Sequence, residues 1–130
     1  MRVLGIDPGV SGGLGLITPE GASAIVMPAS GLTAAIRAMR ADLVVIEAVH
    51  SMPGQGVASC FTFGQGFGRI LEAVESLDLA SLRVTPQKWK AATIGSCPIK
   101  NDKAAARAWG KQAAIDLVHA RWPGLSLKAS

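Results

Sequence analysis

Two short apolar segments, each followed by an acidic residue, constrain the fold of this chain more than any other feature. Residues 2–6 lead into Asp7, and residues 43–46 lead into Glu47. Each segment has the length and composition of a buried β-strand and is too short for a typical helix. We therefore expect two interior strands whose carboxyl ends each carry one carboxylate.

The other segments predict alternating strands and helices. Strands are predicted over residues 14–17, 24–27 and 82–85, and helices over 31–40, about 57–77 and about 103–120, with a helical turn over 86–90. The long second helix has an apolar stripe formed by Cys60, Phe63, Phe67, Ile70, Val74 and Leu77. A three-stranded meander followed by alternating elements favours an α/β fold with a mixed, five-stranded sheet flanked by helices.

Length and composition favour one globular domain over residues 1–130. The 130 residues are 49% apolar, which excludes an intrinsically disordered chain. No apolar run is long enough to span a membrane, and no secretory signal is visible. The two cysteines lack the spacing of metal ligands, so we expect reduced thiols in a cytoplasmic protein.

Charge is distributed unevenly along the sequence. Residues 1–82 contain four basic and seven acidic side chains, a net charge of −3, whereas residues 83–130 contain nine basic and two acidic ones, a net charge of +7. The basic part also holds all three tryptophans, Trp89, Trp109 and Trp122. A basic segment with aromatic residues is typical of nucleic-acid binding, although solvated lysines and core tryptophans explain the same pattern.

The two strand-end acids suggest a metal site. If their strands are parallel neighbours, Asp7 and Glu47 emerge at one edge of the sheet, where α/β proteins place their ligands. Two nearby carboxylates repel each other, and Mg²⁺ relieves that repulsion while it keeps several of its waters. The alternatives are that Asp7 caps the Pro8-Gly9 turn and that Glu47 simply faces water. Spacing alone does not decide between these interpretations.

Several motifs follow one another along the chain. They are Gly5-Ile6-Asp7-Pro8-Gly9 with residues 12–17, Val44-Val45-Ile46-Glu47, residues 52–56 and 63–66, residues 84–90 and Lys100-Asn101-Asp102-Lys103. Together they resemble the RuvC-type Holliday junction resolvases, especially their phage-like branch, within the RNase H-like superfamily. The resemblance covers nearly the whole chain. The first motif alone is weak, because sugar kinases and actin-like ATPases also begin with a strand, an aspartate and glycines.

The resemblance implies a metal-dependent endonuclease that binds and resolves branched DNA. It assigns Mg²⁺, or Mn²⁺ in its place, to Asp7 and Glu47, and contact with the scissile phosphate to Lys103. Further expected DNA contacts are His50, Lys88, Lys90, Lys100, Arg107 and Lys111. A solvated lysine and an ordinary loop histidine are the alternatives for Lys103 and His50. A homodimer through the glycine-containing helix, at Gly64 and Gly68, would match the two-fold symmetry of a four-way junction.

One departure from the family pattern affects the expected activity. The family has a third motif, two aspartates three residues apart on a C-terminal helix, and Asp116 is the only acid after Asp102. We therefore expect a C-terminally truncated domain with an incomplete metal site. The competing hypotheses are an active junction-cutting nuclease, a branched-DNA-binding module that does not cut, and an actin-like ATPase fragment. The last is disfavoured because 130 residues cannot form two nucleotide-gripping lobes.

Overall fold

A computed structural model of the chain describes residues 1–49 and 54–125. The chain divides into two compact units, residues 1–84 and 85–130. The first unit contains five strands and two helices: β1 (Val3–Asp7), β2 (Gly13–Thr18), β3 (Gly21–Val26), α1 (Leu32–Met39), β4 (Leu43–Glu47), α2 (Val57–Ser76) and β5 (Ser81–Val84). The second unit contains α3 (Pro86–Thr93) and α4 (Lys103–Arg121).

The five strands form one mixed sheet in the order β3-β2-β1-β4-β5. Strands β1 to β3 pair antiparallel as a meander. In the tight turn between β2 and β3, the Thr18 hydroxyl accepts a hydrogen bond from the Glu20 amide at 3.2 Å. Strand β4 runs parallel to β1 and to β5. Helices α1 and α2 are the crossovers that these parallel pairs require. The predicted fold class is confirmed.

The core of the first unit lies on one face of the sheet. Alternate strand residues point to this face, and α1 and α2 pack their apolar stripes against it. Its buried residues are Leu4, Ile6, Leu14, Leu16, Leu32, Ile36, Ala41, Val44, Ile46, Ile70, Ala73 and Val74. Burying each of the larger side chains stabilises the fold by about 1.5–3 kcal/mol. The opposite face of each central strand is only half-buried or exposed.

The two helices of the second unit begin at side-chain caps. The Thr85 hydroxyl accepts a hydrogen bond from the Lys88 amide at 3.2 Å, and the Asp102 carboxylate accepts one from the Ala105 amide at 3.0 Å. No described residue of α3 or α4 is fully buried. The two helices begin at Pro86 and Lys103, where the sequence predicted them, and the capping side chains satisfy amides that lack a helical partner.

Helix α3 is longer than the single turn predicted over residues 86–90. It continues to Thr93, whose hydroxyl donates a hydrogen bond to the Trp89 carbonyl at 2.7 Å. Gly95, the residue after the C-cap Ile94, adopts a positive φ of 77°, and its amide donates a hydrogen bond to the Lys90 carbonyl at 2.9 Å. A left-handed residue just past a helix end is usually glycine, which adopts this conformation without strain. In the part of the chain described, no helix is long and apolar enough to cross a membrane.

Candidate metal centre and nucleic-acid surface

Asp7 and Glu47 occupy adjacent ends of two parallel strands. Strands β1 and β4 pair from Val3 opposite Leu43 to Ile6 opposite Ile46, so the next positions in this register are Asp7 and Glu47. Neighbouring strands lie about 4.8 Å apart. The sheet thus brings together two acids that are 40 positions apart in sequence.

Both carboxylates lie on the face of the sheet opposite α1 and α2. In β1 the buried residues are Leu4 and Ile6, so Asp7 shares the other face with Val3 and Gly5. By the same alternation in β4, the side chain of Glu47 lies on the face opposite to that of the buried Val44 and Ile46. Asp7 is exposed and Glu47 is half-buried, which leaves this edge open to a ligand from solvent.

The electrostatics of this edge disfavour two negative charges without a cation. The pKa of Asp7 is raised above its ordinary value of 3.8, first because protein atoms displace water around the carboxyl group and second because Glu47 is negatively charged. Both effects penalise the ionised form of Asp7. A bound divalent cation would reverse the second effect by placing positive charge between the two carboxylates.

The turn after Asp7 does not depend on the Asp7 carboxylate. It is closed by the backbone, through a 3.1 Å hydrogen bond from the Gly12 amide to the Gly9 carbonyl. Gly9 has φ 112°, and a Cβ atom at Gly12 would collide with the Asp7 carbonyl group. The turn therefore requires glycine at these two positions, and the carboxylate stays available to a ligand.

The donor set is compatible with a hard divalent cation but is small. Carboxylate oxygens suit Mg²⁺, which completes its coordination with water or substrate phosphate oxygens. Within residues 1–49 and 54–125, no group of three or more histidine, cysteine, aspartate or glutamate side chains is arranged to hold a metal ion. Two carboxylates fit one weakly held ion.

The predicted DNA-contacting residues of the second unit are all exposed. Lys88 and Lys90 lie on α3, and Lys100 lies in the loop before α4. On α4 the exposed cations are spaced one turn apart at Lys103, Arg107 and Lys111, whereas Ile115 and Val118, farther along the helix, are half-buried. The Lys90 ammonium lies 5.7 Å from the centre of the Trp89 ring. His50 lies outside the described residues.

The late acid Asp116 is also exposed, on α4. Its carboxylate accepts a hydrogen bond from the Gln112 side chain at 2.8 Å, a contact within one helix. This pair is the ordinary (i, i+4) interaction of a solvated helix face.

The predicted contact surface on α2 is the side that carries Gly64 and Gly68. Phe63 and Phe67 of the apolar stripe are half-buried, and their rings stack 6.2 Å apart. The large apolar side chains exposed on the described part of α2 are Val57, of which 87% is accessible, and Phe61, of which 67% is accessible. Gly64 and Gly68 are exposed, and an added Cβ would meet no atom within 4 Å at either one.

Sequence reasoning also missed a cavity of about 780 Å³ in the first unit. It lies between the turn after Asp7, the segment after β3 and one side of α2. Small and polar residues recur on that side of α2, at Ser59, Thr62 and Gly66. This recurrence of small and polar residues, three to four positions apart, is a sequence signal that could have indicated a cavity on this side of α2.

Comparison with solved structures identifies the fold. Thermus thermophilus RuvC in complex with a Holliday junction substrate matches 99% of this chain and 82% of its own, with 19% identity and a TM-score of 0.67. A second Thermus thermophilus RuvC structure matches 100% of this chain and 84% of its own, with 21% identity and a TM-score of 0.59. No protein-family model and no curated protein sequence matches the chain. The chain has a RuvC-like fold, as the sequence motifs predicted.

Proposed function

We propose that this chain, with its RuvC-like fold, is a metal-dependent, structure-specific endonuclease domain that binds and resolves branched DNA by phosphodiester hydrolysis. The observation that carries the proposal is the position of Asp7 and Glu47, at adjacent ends of parallel strands and on the same face of the sheet. A structural neighbour bound to a Holliday junction supports the choice of substrate. We propose that residues 1–130 act as one nuclease domain.

In this proposal Asp7 and Glu47 hold Mg²⁺, and Mn²⁺ can replace it. When bound, the ion supplies charge neutralisation at the phosphate and lowers the pKa of water. The two carboxylates orient the ion at the sheet edge. Lys103, as the first residue of α4, contributes a positive charge to the scissile phosphate. A lysine fits this role because a compact ammonium group neutralises phosphate as a point charge.

The basic residues of the second unit are proposed to hold the arms of the junction. Lys88, Lys90, Lys100, Arg107 and Lys111 are exposed on the two helices and the loop between them. Contacts of this kind bind phosphates without reading sequence, and they make affinity strongly dependent on salt. His50, three positions after Glu47, is proposed to contribute a ring near the branch point.

A homodimer would give the two active sites that symmetric cutting of a junction needs. We propose that α2 forms the contact through the exposed side that carries Phe61, Gly64 and Gly68. The open space over both glycines supports close approach of a second helix. An exposed phenylalanine on the same side supports an apolar contact.

The second candidate function is a branched-DNA-binding module that does not cut. The absence of a third metal-binding acid among the described residues favours it. In that case the same basic surface and the same dimer bind junctions, while phosphodiester hydrolysis stays at background. Catalytic groups that act as a unit lose most of their effect when part of the unit is missing.

One pair of measurements separates these functions. The purified chain is assayed for affinity to a four-way junction and to linear duplex of equal length, and then for cleavage with Mg²⁺. Cleavage that is lost in Asp7→Asn and Glu47→Gln, but kept in the distant control Glu20→Gln, is the result expected for the nuclease. Junction preference without cleavage supports the binding module. Equal affinity for junction and duplex at moderate salt contradicts both.

A further inference from the structure

We propose that the cavity beside Asp7 is a pocket for one unpaired nucleotide of the bound DNA, an inference that rests on the proposed nuclease function. The cavity belongs to the first unit and has a volume of about 780 Å³, within the range of small-molecule sites. It reaches from Pro8, the residue after Asp7, to the side of α2 formed by Thr62, Gly66 and Arg69.

The lining matches the chemistry of a nucleobase. Val10, Met27, Phe63 and Ile70 supply apolar surface for the flat faces of a base. Hydroxyl and amide groups stand among them and match the polar edges of a base. Their donors and acceptors come from Ser11, Gln55, Ser59 and Thr62. Gln55 and Ser59 are already joined by a 3.1 Å hydrogen bond, which orders this part of the wall.

The charge of the cavity favours an anionic ligand. Among the described residues that line it, Arg69 is the charged one, and no acid lines it. The guanidinium group donates one long hydrogen bond, 3.4 Å, to the Pro28 carbonyl. Arginine has five N–H donors, so this contact leaves others for a phosphate or a base carbonyl. Arg69 thus complements a nucleotide and would repel a cationic ligand.

The cavity lies next to the turn that follows Asp7, at the same end of the sheet as the two acids. Pro8 and Gly9 belong both to the cavity wall and to the turn that follows Asp7. The cavity is on the α2 side of the sheet and the two carboxylates are on the other side, so the turn at Pro8 and Gly9 would separate a nucleotide in the cavity from a phosphate at Asp7 and Glu47. Removing a base from a stack costs a few kcal/mol, and least where the base is already unpaired, as at a branch point. Such a pocket would select branched DNA over linear duplex.

Gly66 provides a matched pair of variants that test the pocket. A Cβ atom at Gly66 would meet nothing within 4 Å, so a side chain can be attached there without a clash at its first atom. Gly66→Leu fills the cavity, whereas Gly66→Ala leaves most of it open. Alanine and leucine have similar helix propensities, so the difference between these variants reports occupancy of the cavity rather than helix stability. Arg69→Gln removes the charge at an exposed position and serves as a second variant.

The direct experiment titrates the full chain with a single-stranded tetranucleotide, observed by NMR at the methyl groups of Met27, Thr62 and Ile70. We expect saturable shifts in the parent and in Gly66→Ala, a loss of at least tenfold in affinity in Gly66→Leu, and a loss of about threefold to tenfold in Arg69→Gln. Thermal melting checks that each variant is folded. Unchanged affinity in both folded variants, or no shifts at these methyl groups in the parent, would overturn the proposal.

A parallel measurement separates this proposal from the proposed function. Junction and duplex affinities of the same variants are compared at fixed salt. Junction preference in the parent that survives in Gly66→Leu leaves the proposed function intact and contradicts the pocket. Loss of the dimer in Gly66→Leu, with tetranucleotide shifts unaffected, would make the cavity a contact between copies of the chain and would also overturn the proposal. Tetranucleotide binding in the cavity without junction preference supports the pocket and contradicts the proposed function.

Discussion

Neutralising Asp7 should stabilise the folded chain in the absence of a divalent cation. Asp7→Asn removes the carboxylate whose ionised form is penalised by a partial loss of surrounding water and by Glu47, and it keeps the shape of the side chain. Two unit charges on neighbouring strands, about 5 Å apart, repel each other by about 0.8 kcal/mol in water and by about 3 kcal/mol at an effective dielectric constant of 20. Because Asp7 is exposed, we expect a value near the lower limit, about 1 kcal/mol.

The assay is thermal unfolding at neutral pH in a chelating buffer. A gain of about 1 kcal/mol corresponds to a Tm increase of about 4 °C for a chain of this size. The matched control is Glu20→Gln, which removes the same charge at the opposite end of β2. The control should leave Tm nearly unchanged, because Glu20 is exposed in a turn. Since net charge changes equally in the two variants, a difference between their Tm values reports the surroundings of Asp7.

The pH dependence of this gain has a definite sign. The pKa of Asp7 is raised in the folded state, so ionisation costs stability above that pKa, and the cost fades as the folded carboxylate becomes protonated. The extra folding stability of Asp7→Asn over the parent should therefore be complete at pH 7, and it should disappear as the pH falls below 3.8, the ordinary pKa of an aspartate.

Divalent cations should reverse the order of stability, so that the parent becomes more stable than Asp7→Asn. Mg²⁺ that binds the folded chain at ten times its Kd stabilises it by about 1.4 kcal/mol, and Asp7→Asn should lose this gain. A variant that is destabilised in chelator, or that is stabilised by Mg²⁺ as much as the parent, would refute the assignment of Asp7 to a shared carboxylate site.

Three further predictions concern binding, assembly and stability. Lys103→Ala should weaken junction binding and lower the slope of log affinity against log salt by about one unit, as measured by fluorescence anisotropy; Arg37→Ala, which removes an equal charge from α1, should leave both unchanged. Gly68→Leu should convert the dimer into a monomer at tens of micromolar protein in light scattering, while Gly68→Ala should dimerise, and equal masses for both would contradict the α2 contact. Asp102→Ala should destabilise α4 by about 1 kcal/mol in thermal unfolding, because the Ala105 amide loses its capping carboxylate, and Asp102→Asn should restore most of that loss.

The sequence by itself determined the order and type of the secondary structure elements. Short apolar segments, turn residues and helical periodicity are local signals, and local signals fix strands such as β1 and helices such as α2 within a few residues. The cap at Asp102 was readable for the same reason, since it involves atoms only three residues apart. The family motifs then indicated the RuvC-like fold, although the identity to the solved structures is only 19–21%.

Tertiary structure decided which residues are neighbours and which side of each element is covered. The pairing of β1 with β4 puts Asp7 beside Glu47, and no local signal specifies the register between strands 40 residues apart. The rotation of α2 against the sheet decides that Phe61 is exposed while Phe63 is half-buried. The cavity between α2 and the turn after Asp7 is formed by three segments that are distant in sequence. These features arise from packing between segments, and the periodicity of a single segment contains no information about its partner.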